Sequence, residues 1–380
     1  MSLSMVTPAP KYTGRATLPL FEATRKELSA ALIEREQEID LALTALVAKE
    51  HVLFVGPPGT AKSTLADALV AWMHGNKFSV LVSKFTTPEE IFGPISVVGL
   101  KADKYRRITT GKLPEAEVAF IDEIWKASSA ILNTTLQVLN ERTFRNDDVL
   151  HHCPLRLCVA ASNEWPGSQE GGGVELGALF DRFLFRKSVR PVAMERSLHR
   201  LLWSSDLTPK LSTTITPAEI DQASAEASAL PWKPEAQEAF QTIHREAKRE
   251  GIVPGDRRLR KAVKAAQAFA WLNAASEVEP EHLEILSHVL WDDPAEQPKK
   301  IAEIVGKIAN PSAMAVNGLL SECEQILGDT DRKDTAKAVA AIKKLTNVAN
   351  ELKKLSSPKA SQAKAYVDEQ LKEMKLAMLA

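Results

Sequence analysis

The sequence predicts an α/β domain built on a parallel sheet between helices, followed by an all-α domain and a C-terminal helical bundle. Three observations carry that expectation. Between His51 and Val189, short β-rich runs alternate with helical stretches, the pattern of strands joined by helical crossovers. After "SVRPVAMERS" the strand signal disappears and helix-period segments with capping residues follow. Past Arg332, the residues Ile342, Leu345, Val348, Leu352 and Leu355 recur at coiled-coil spacing. The chain therefore divides into an arm over 1–20, an α/β core over 21–195, an all-α domain over 196–292 and a bundle over 293–380.

Each element follows from a local pattern. The first twenty residues are rich in Pro, Thr, Ser and Gly and read as a loose arm. Leu28, Leu32, Ile39, Leu43 and Leu46 keep helical spacing, so one or two amphipathic helices lead into a strand at His51 to Val55. "FSVLV", "EVAFID", "LRLCVAAS" and "RFLFRKSV" supply further strands. In "TTPEEIFG", Thr87 caps, Pro88 takes the first helical position and Glu90 closes a capping box, so a short helix begins there. Thr216, Pro217 and Glu219 repeat that signal in the all-α part. "LPWKPEA", "EGIVPGD", "WDDPAEQPKK", "ANPSAM" and "LSSPKAS" punctuate the later helices.

Composition narrows the classes. At 380 residues with 44% hydrophobic content the chain can bury a large core. A formal charge of −1 creates no global field toward nucleic acid or anionic lipid. Three scattered cysteines, Cys153, Cys158 and Cys323, make no disulfide framework and suit a reducing cytosol. No run approaches the roughly 20 apolar residues of a membrane span, and no secretory leader is legible, so a cytoplasmic protein is expected. The seven tryptophans are expected in the core or between domains. His151, His152, Cys153 and Cys158 match no usual zinc spacing, and the glycines at 171–173 read as a loop. The final fifty residues carry an excess of Lys and Arg, read as a solvated face rather than a nucleic-acid patch because aromatics are not interleaved.

The segment "GPPGTAKST" lies between an apolar strand and a helix: Gly56, Pro57, Pro58, Gly59, Thr60, Ala61, Lys62, Ser63 and Thr64. Strand, glycine loop and helix start bring backbone N–H groups and the helix dipole onto an anion. Lys62 would reach the β and γ phosphates and Ser63 would hold Mg²⁺. Ala61 stands where many such loops have glycine; because alanine resists positive φ, ordinary φ is expected there. "VAFIDE" supplies Asp122 for Mg²⁺ and Glu123 to polarise the attacking water, which points to hydrolysis of ATP. Asn163, at the end of "CVAASN", is either an ordinary strand-end residue or a second holder of that water. Arg182 in "LFDRFLF" either pairs with Asp181 or reaches the developing charge in a neighbouring subunit. Arg257 and Arg258 fall in the first turn of a helix, where cations oppose the dipole, so a nearby phosphate or Asp256 as a cap would resolve the conflict. Arg257 is the preferred phosphate sensor.

Taken in that order, these motifs resemble the AAA+ ATPases, and "GPPGTAKS" resembles the MoxR branch, whose loop commonly has alanine before the lysine. "FTTPEEIFGPISVVGLK", "GKLPEAEVAFIDEIWKASSAILNTTLQVLNERTFRN" and "RLCVAASNE" are similar to its RavA-like subgroup. The resemblance runs from about Leu28 to Trp291. It implies an α/β P-loop AAA+ core with an all-α lid, with Lys62 and Ser63 in Walker A, Asp122 and Glu123 in Walker B, Asn163 as sensor 1, Arg182 as arginine finger and Arg257 as sensor 2. It further implies a hexameric ring, a helix-2 insert over 86–110 and a hairpin over 144–155, both facing a pore. A chaperone-like motor acting on a protein client, frequently with a von Willebrand factor A (VWA) domain partner, is the function implied. A nucleic-acid-directed motor or loader is the alternative, disfavoured because no reading head is recognisable. In the RavA-like subgroup a β-rich module interrupts the C-terminal helices, whereas only helices are legible here.

Overall fold

The computed structural model describes residues 15–166, 173–329, 335–355 and 358–377. Helices α1 (Leu18–Ala31) and α2 (Glu36–Ala48) precede strand β1 (Val52–Val55). There follow α3 (Lys62–Trp72), β2 (Lys77–Leu81), α4 (Pro88–Phe92), α5 (Val97–Lys101), β3 (Val118–Asp122) and α6 (Ser129–Glu141). Strands β4 (Thr143–Asn146) and β5 (Val149–His152) form a hairpin before β6 (Leu157–Ser162), α7 (Gly173–Phe180) and β7 (Phe185–Ser188). The remaining elements of the described chain are helices: α8 (Glu195–Trp203), α9 (Pro217–Ser228), α10 (Pro234–Arg249), α11 (Asp256–Leu272), a 3-10 segment Pro280–His288, α12 (Gln297–Ala309), α13 (Pro311–Asp329), α14 (Thr335–Lys354) and α15 (Pro358–Ala377).

Five strands form one parallel sheet in the order β2-β3-β6-β1-β7. The middle of this sheet is written as continuous apolar runs, because helices cover both faces and no side of the strand meets water. Accordingly every residue of β1 and β6 is buried. Register then matters for function. Val55 pairs with Ser162, and Asp122 pairs with Ala161, so the residues just past β1, β3 and β6 emerge at one edge.

Both sequence-read capping boxes form, at Thr87 with Glu90 and at Thr216 with Glu219. Helix α1 starts at Leu18 with Pro19 in its first turn, slightly inside the stretch expected to be a loose arm; residues 1–14 of that arm lie outside the described residues. Residues 171 and 172 of the expected glycine loop also lie outside them. Phe21 of α1 meets Trp72 and Trp271 edge-on at 5.2 Å each, tying the first helix to the core and to α11. Such aromatic pairs add about 0.5–1.5 kcal/mol beyond the area they bury. Trp203 departs from the expectation for tryptophan, being 75% exposed at the end of α8. The main core runs through α12, with Ile301, Val305 and Ala309 inside it, and a second cluster begins at Val316. The buried groups therefore divide after α12 and not at residue 293. In the second cluster Leu345, Val348 and Leu352 are buried, with Ile342 and Leu355 packed against them, as their spacing anticipates.

His51, at the start of β1, is buried; its Nδ1 accepts from the Cys158 N–H at 2.9 Å, and its Nε2 lies 3.1 Å from the Leu139 carbonyl and in short contact with Arg142 Nη1. Burial, with Arg142 beside it, holds this imidazole well below its usual pKa. The folded ring stays neutral while the unfolded chain protonates near pH 6.5. Stability from this group is therefore present above about pH 6.5 and lost as pH falls below it, by up to about 1.4 kcal/mol per pH unit. The urea midpoint is expected to drop between pH 7 and pH 5.5, and His51→Gln to flatten that slope; an unchanged slope in the variant would refute the assignment. Burial also pushes the Cys153 and Cys158 thiols up, to about 11 and about 12, so both remain protonated and poorly nucleophilic.

Candidate nucleotide site

The loop after β1 begins with Gly56, whose N–H donates to the Ser162 carbonyl at 3.1 Å. A Cβ at this position would lie 2.1 Å from the Val189 carbonyl oxygen, so only glycine lets the loop leave the sheet here. Pro57 and Pro58 have no N–H to offer an anion. They are exposed and stiffen the loop, while the donors run from Gly59 into the start of α3. Thr60 closes the turn by donating its hydroxyl to the Pro57 carbonyl at 2.9 Å. Thr64, in the first turn of α3, is exposed.

Ala61 overturns the expectation of ordinary backbone geometry: its φ is +63° and ψ is 20°, the left-handed region. The turn into α3 demands that conformation, which costs a residue with a Cβ about 1–2 kcal/mol. Neighbouring bonds hold it there. Arg35, buried between α1 and α2, donates from Nε to the Thr60 carbonyl at 2.9 Å and from Nη2 to the Arg190 carbonyl at 2.8 Å. The loop is thereby clamped from outside to the segment that follows β7.

Lys62 is largely buried and its ammonium donates to the carbonyls of Gly56 at 2.6 Å and Pro57 at 2.9 Å, and to Asn163 Oδ1 at 3.3 Å. Desolvation lowers its pKa, partly offset by Asp122 and Glu123. Ser63 donates to Asp122 Oδ2 at 3.0 Å. Asp122 Oδ1 accepts the Glu123 N–H at 2.9 Å, and Glu123 itself is held at φ +55°. Its carboxylate accepts a short hydrogen bond from Asn163 Nδ2 and lies 3.4 Å from Lys126 Nζ. Lys62, Ser63, Asp122, Glu123 and Asn163 thus form one connected cluster at the carboxyl ends of β1, β3 and β6, where open α/β sheets receive ligands.

The paired hydroxyl and carboxylate of Ser63 and Asp122 are hard oxygen donors, a set suited to Mg²⁺. The Gly59 to Ser63 backbone and the desolvated ammonium suit a polyphosphate. Among the described residues no separate cluster of His, Cys, Asp and Glu could hold a metal ion.

Arg182 and Arg257 are not brought to this cluster. Arg182 donates to Asp181 Oδ2 at 2.7 Å, just before β7 starts. Arg257 is exposed and hydrogen-bonded to Asn140 at the end of α6. Its neighbours fix the location: Lys261 pairs with Glu50 and Arg258 donates toward Leu184, at the starts of β1 and β7. These arginines lie toward the amino ends of the strands and the cluster lies at the carboxyl ends. The alternative of Asp256 as a cap does not hold: Gly255 takes the N-cap position of α11 and Asp256 is its first residue. The dipole conflict in this turn is eased by another anion, the Asp181 carboxylate, which takes Arg258 at 2.7 Å.

Sequence reasoning missed Arg35, Lys126 and Arg186. Arg186 carried a usable signal in following Phe183, Leu184 and Phe185 directly, because an arginine buried in a sheet needs dedicated partners.

A five-stranded parallel sheet carrying this loop, acid pair and polar strand end, followed by a helical lid, defines a P-loop ATPase of the AAA+ class. Residues 20–225 match the family model described as the MoxR domain in the MoxR-vWA-beta-propeller ternary systems, and residues 236–305 match an AAA lid domain. Two uncharacterized Methanocaldococcus jannaschii proteins are 37% and 36% identical to it, each over 93% of this chain and 94% and 96% of their own lengths. The chain belongs to the MoxR family of AAA+ ATPases. Chaperone MoxR1 of Mycobacterium tuberculosis is 30% identical over 43% of this chain and 42% of its own length. A Cytophaga hutchinsonii crystal structure, described as a candidate ATPase, shares the fold with a TM-score of 0.62 at 15% identity, covering 77% of this chain and 95% of its own. The matches support the MoxR family as a whole; the narrower RavA-like resemblance is not carried by them. Among the described residues no helix is long and apolar enough to cross a membrane.

Proposed function

We propose that this AAA+ ATPase hydrolyses ATP at sites shared between neighbouring copies in a ring, a hexamer, and uses the cycle as a chaperone-like motor on a protein client. The supporting observation is the division of parts: the phosphate loop cluster sits at one end of the sheet, while Arg182 and Arg257 lie toward the other. One copy would supply the cluster, and the next copy would supply Arg182 as finger and Arg257 as sensor. Arg258 is committed to Asp181 and Val289, which leaves Arg257 for the phosphate.

In this scheme Lys62 exchanges its two backbone carbonyls for the β and γ phosphate oxygens. Ser63 and Asp122 would hold Mg²⁺, which when bound neutralises phosphate charge. Glu123 takes the proton of the water whose oxygen attacks the γ-phosphorus while the bond to the β-phosphate oxygen breaks and ADP departs. Asn163 keeps Glu123 and that water aligned. The arginines meet charge on the transferred group.

Client contact falls to the insert and the hairpin. Val97, Val98, Tyr105, Val149 and Leu150 are exposed there, and Phe85, just before the insert, is 90% exposed. Asn146 of the hairpin bonds the backbone of Arg107 through both its amide atoms, at 2.7 and 3.0 Å, which ties insert to hairpin. The matching family description, with its vWA component, supports a VWA-domain partner. We place the protein in the cytoplasm, in keeping with its buried free thiols.

Turnover per chain is expected to rise with protein concentration as shared sites assemble. Full turnover by a monomer at every dilution would overturn the shared site.

A further inference from the structure

Around the start of β7 two buried arginines and two half-exposed carboxylates form an ionic network that the proposed reaction does not use. Arg186 is 0% exposed and Arg258 is 4% exposed. Arg186, on β7, donates from Nε to the Phe183 carbonyl at 2.9 Å, from Nη2 to the Phe180 carbonyl at 3.0 Å and from Nη1 to Asp292 at 3.0 Å. Nη1 also makes a short bond to the Trp291 carbonyl, and the guanidinium stacks 3.9 Å over the Phe180 ring. Arg258, on α11 of the lid, donates to the Val289 carbonyl at 3.0 Å and to both the carbonyl and Oδ1 of Asp181, at 3.0 and 2.7 Å. Asp292 lies 3.4 Å from Arg258 as well, and Arg186 lies 3.9 Å from Asp181.

One residue links this network to the outside. The second oxygen of Asp181 accepts from Arg182 at 2.7 Å, while Arg182 Nε finds no hydrogen-bond partner among the described residues. Arg182 is therefore aimed by a single carboxylate whose other oxygen is gripped by the lid. Buried ion pairs add little net stability against apolar packing, but they specify geometry when every partner is present. Arg258 holds one oxygen of Asp181 and Arg182 the other, so a shift of α11 would move the carboxylate on which Arg182 rests.

We propose that Asp181 is a positioning residue for Arg182, and that Arg258 and Asp292 of the lid set the aim of Arg182 through it. This rests on the reading of Arg182 as the finger that completes a neighbour's site. The lid of one copy would then govern turnover in the next copy through Asp181 and Arg182, separately from the phosphate contact assigned to its Arg257. Two observations favour this over simple packing. The bond from Arg258 to Asp181 joins lid and core, and the same carboxylate holds Arg182, one of the two arginines assigned to the neighbouring site.

The test is a double-mutant cycle in ATP turnover, measured on the full-length assembled protein with binding of a fluorescent ATP analogue as a check of folding. Asp181→Asn is expected to lower kcat about tenfold with KM for ATP unchanged, and to have no further effect when Arg182 is already alanine. Asp292→Asn, a milder change on a half-exposed side chain, is expected to lower kcat about threefold and to be equally silent without Arg182. Asp181→Glu, which keeps the charge, should restore part of the rate. If Arg182→Ala alone leaves kcat intact, the finger reading falls and the inference with it. If Arg182→Ala abolishes turnover but Asp181→Asn and Asp292→Asn do not slow it, or slow the residual rate of the Arg182→Ala protein by the same factor, the finger stands and the coupling is refuted.

Discussion

Glu123→Gln should bind ATP as the parent does and hydrolyse it slower by about 10²- to 10⁴-fold, the usual contribution of a placed general base. The substitution keeps the size of the side chain and an oxygen to accept from Asn163 Nδ2, so the cluster around Lys62 and Ser63 is left standing. What it removes is the proton acceptor and the negative partner of Lys126. Phosphate release at saturating ATP, together with the nucleotide retained after gel filtration, separates the two effects. Undiminished phosphate release would remove Glu123 from its role. Loss of nucleotide retention with loss of rate would instead mean that Glu123 serves binding.

Arg182→Ala should lower kcat by about 10³-fold, the lower range for a guanidinium that stabilises transferred phosphate charge. The distinctive result comes from mixing. A Lys62→Ala protein lacks the ammonium of its phosphate loop but keeps Arg182, while the Arg182→Ala protein has the converse defect. Each is expected to be nearly inactive alone. Co-assembled, a loop from the Arg182→Ala copy faces an intact Arg182 from the Lys62→Ala copy, and a fraction of wild-type turnover returns. Mixed rings that form but regain no activity would show that both residues serve the same chain, against the separation of strand starts and strand ends described above.

Much of the candidate site could be read before any coordinates. The loop from Gly56 to Thr64 is contiguous, so its spacing alone brings lysine, hydroxyl and N–H groups together once a strand precedes it and a helix follows. Asp122, Glu123 and Asn163 were legible because each ends an apolar run, and parallel strands align their ends. The backbone of Ala61 was misjudged because propensity weighs a residue in isolation. The clamp from Arg35 to Thr60 and Arg190 comes from a segment outside the loop and helps hold the left-handed turn. Punctuation and packing also part company: the prolines at residues 292–298 mark a change of direction, whereas Ile301 and Val305 still pack into the main core.

The arginines divide the two kinds of information most clearly. Arg257 and Arg258 are adjacent and chemically identical, and nothing local distinguishes them. Sequence by itself determined the class of reaction, since nucleotide chemistry is written in short motifs whose residues act within a few positions of one another. Only the tertiary structure decided that Arg258 is consumed by Asp181, 77 positions earlier, that Arg257 is exposed, and that Arg182 shares the carboxylate that Arg258 holds. A charge takes its role from the partners that desolvate and bind it, and those partners are assembled by long-range packing of lid against core.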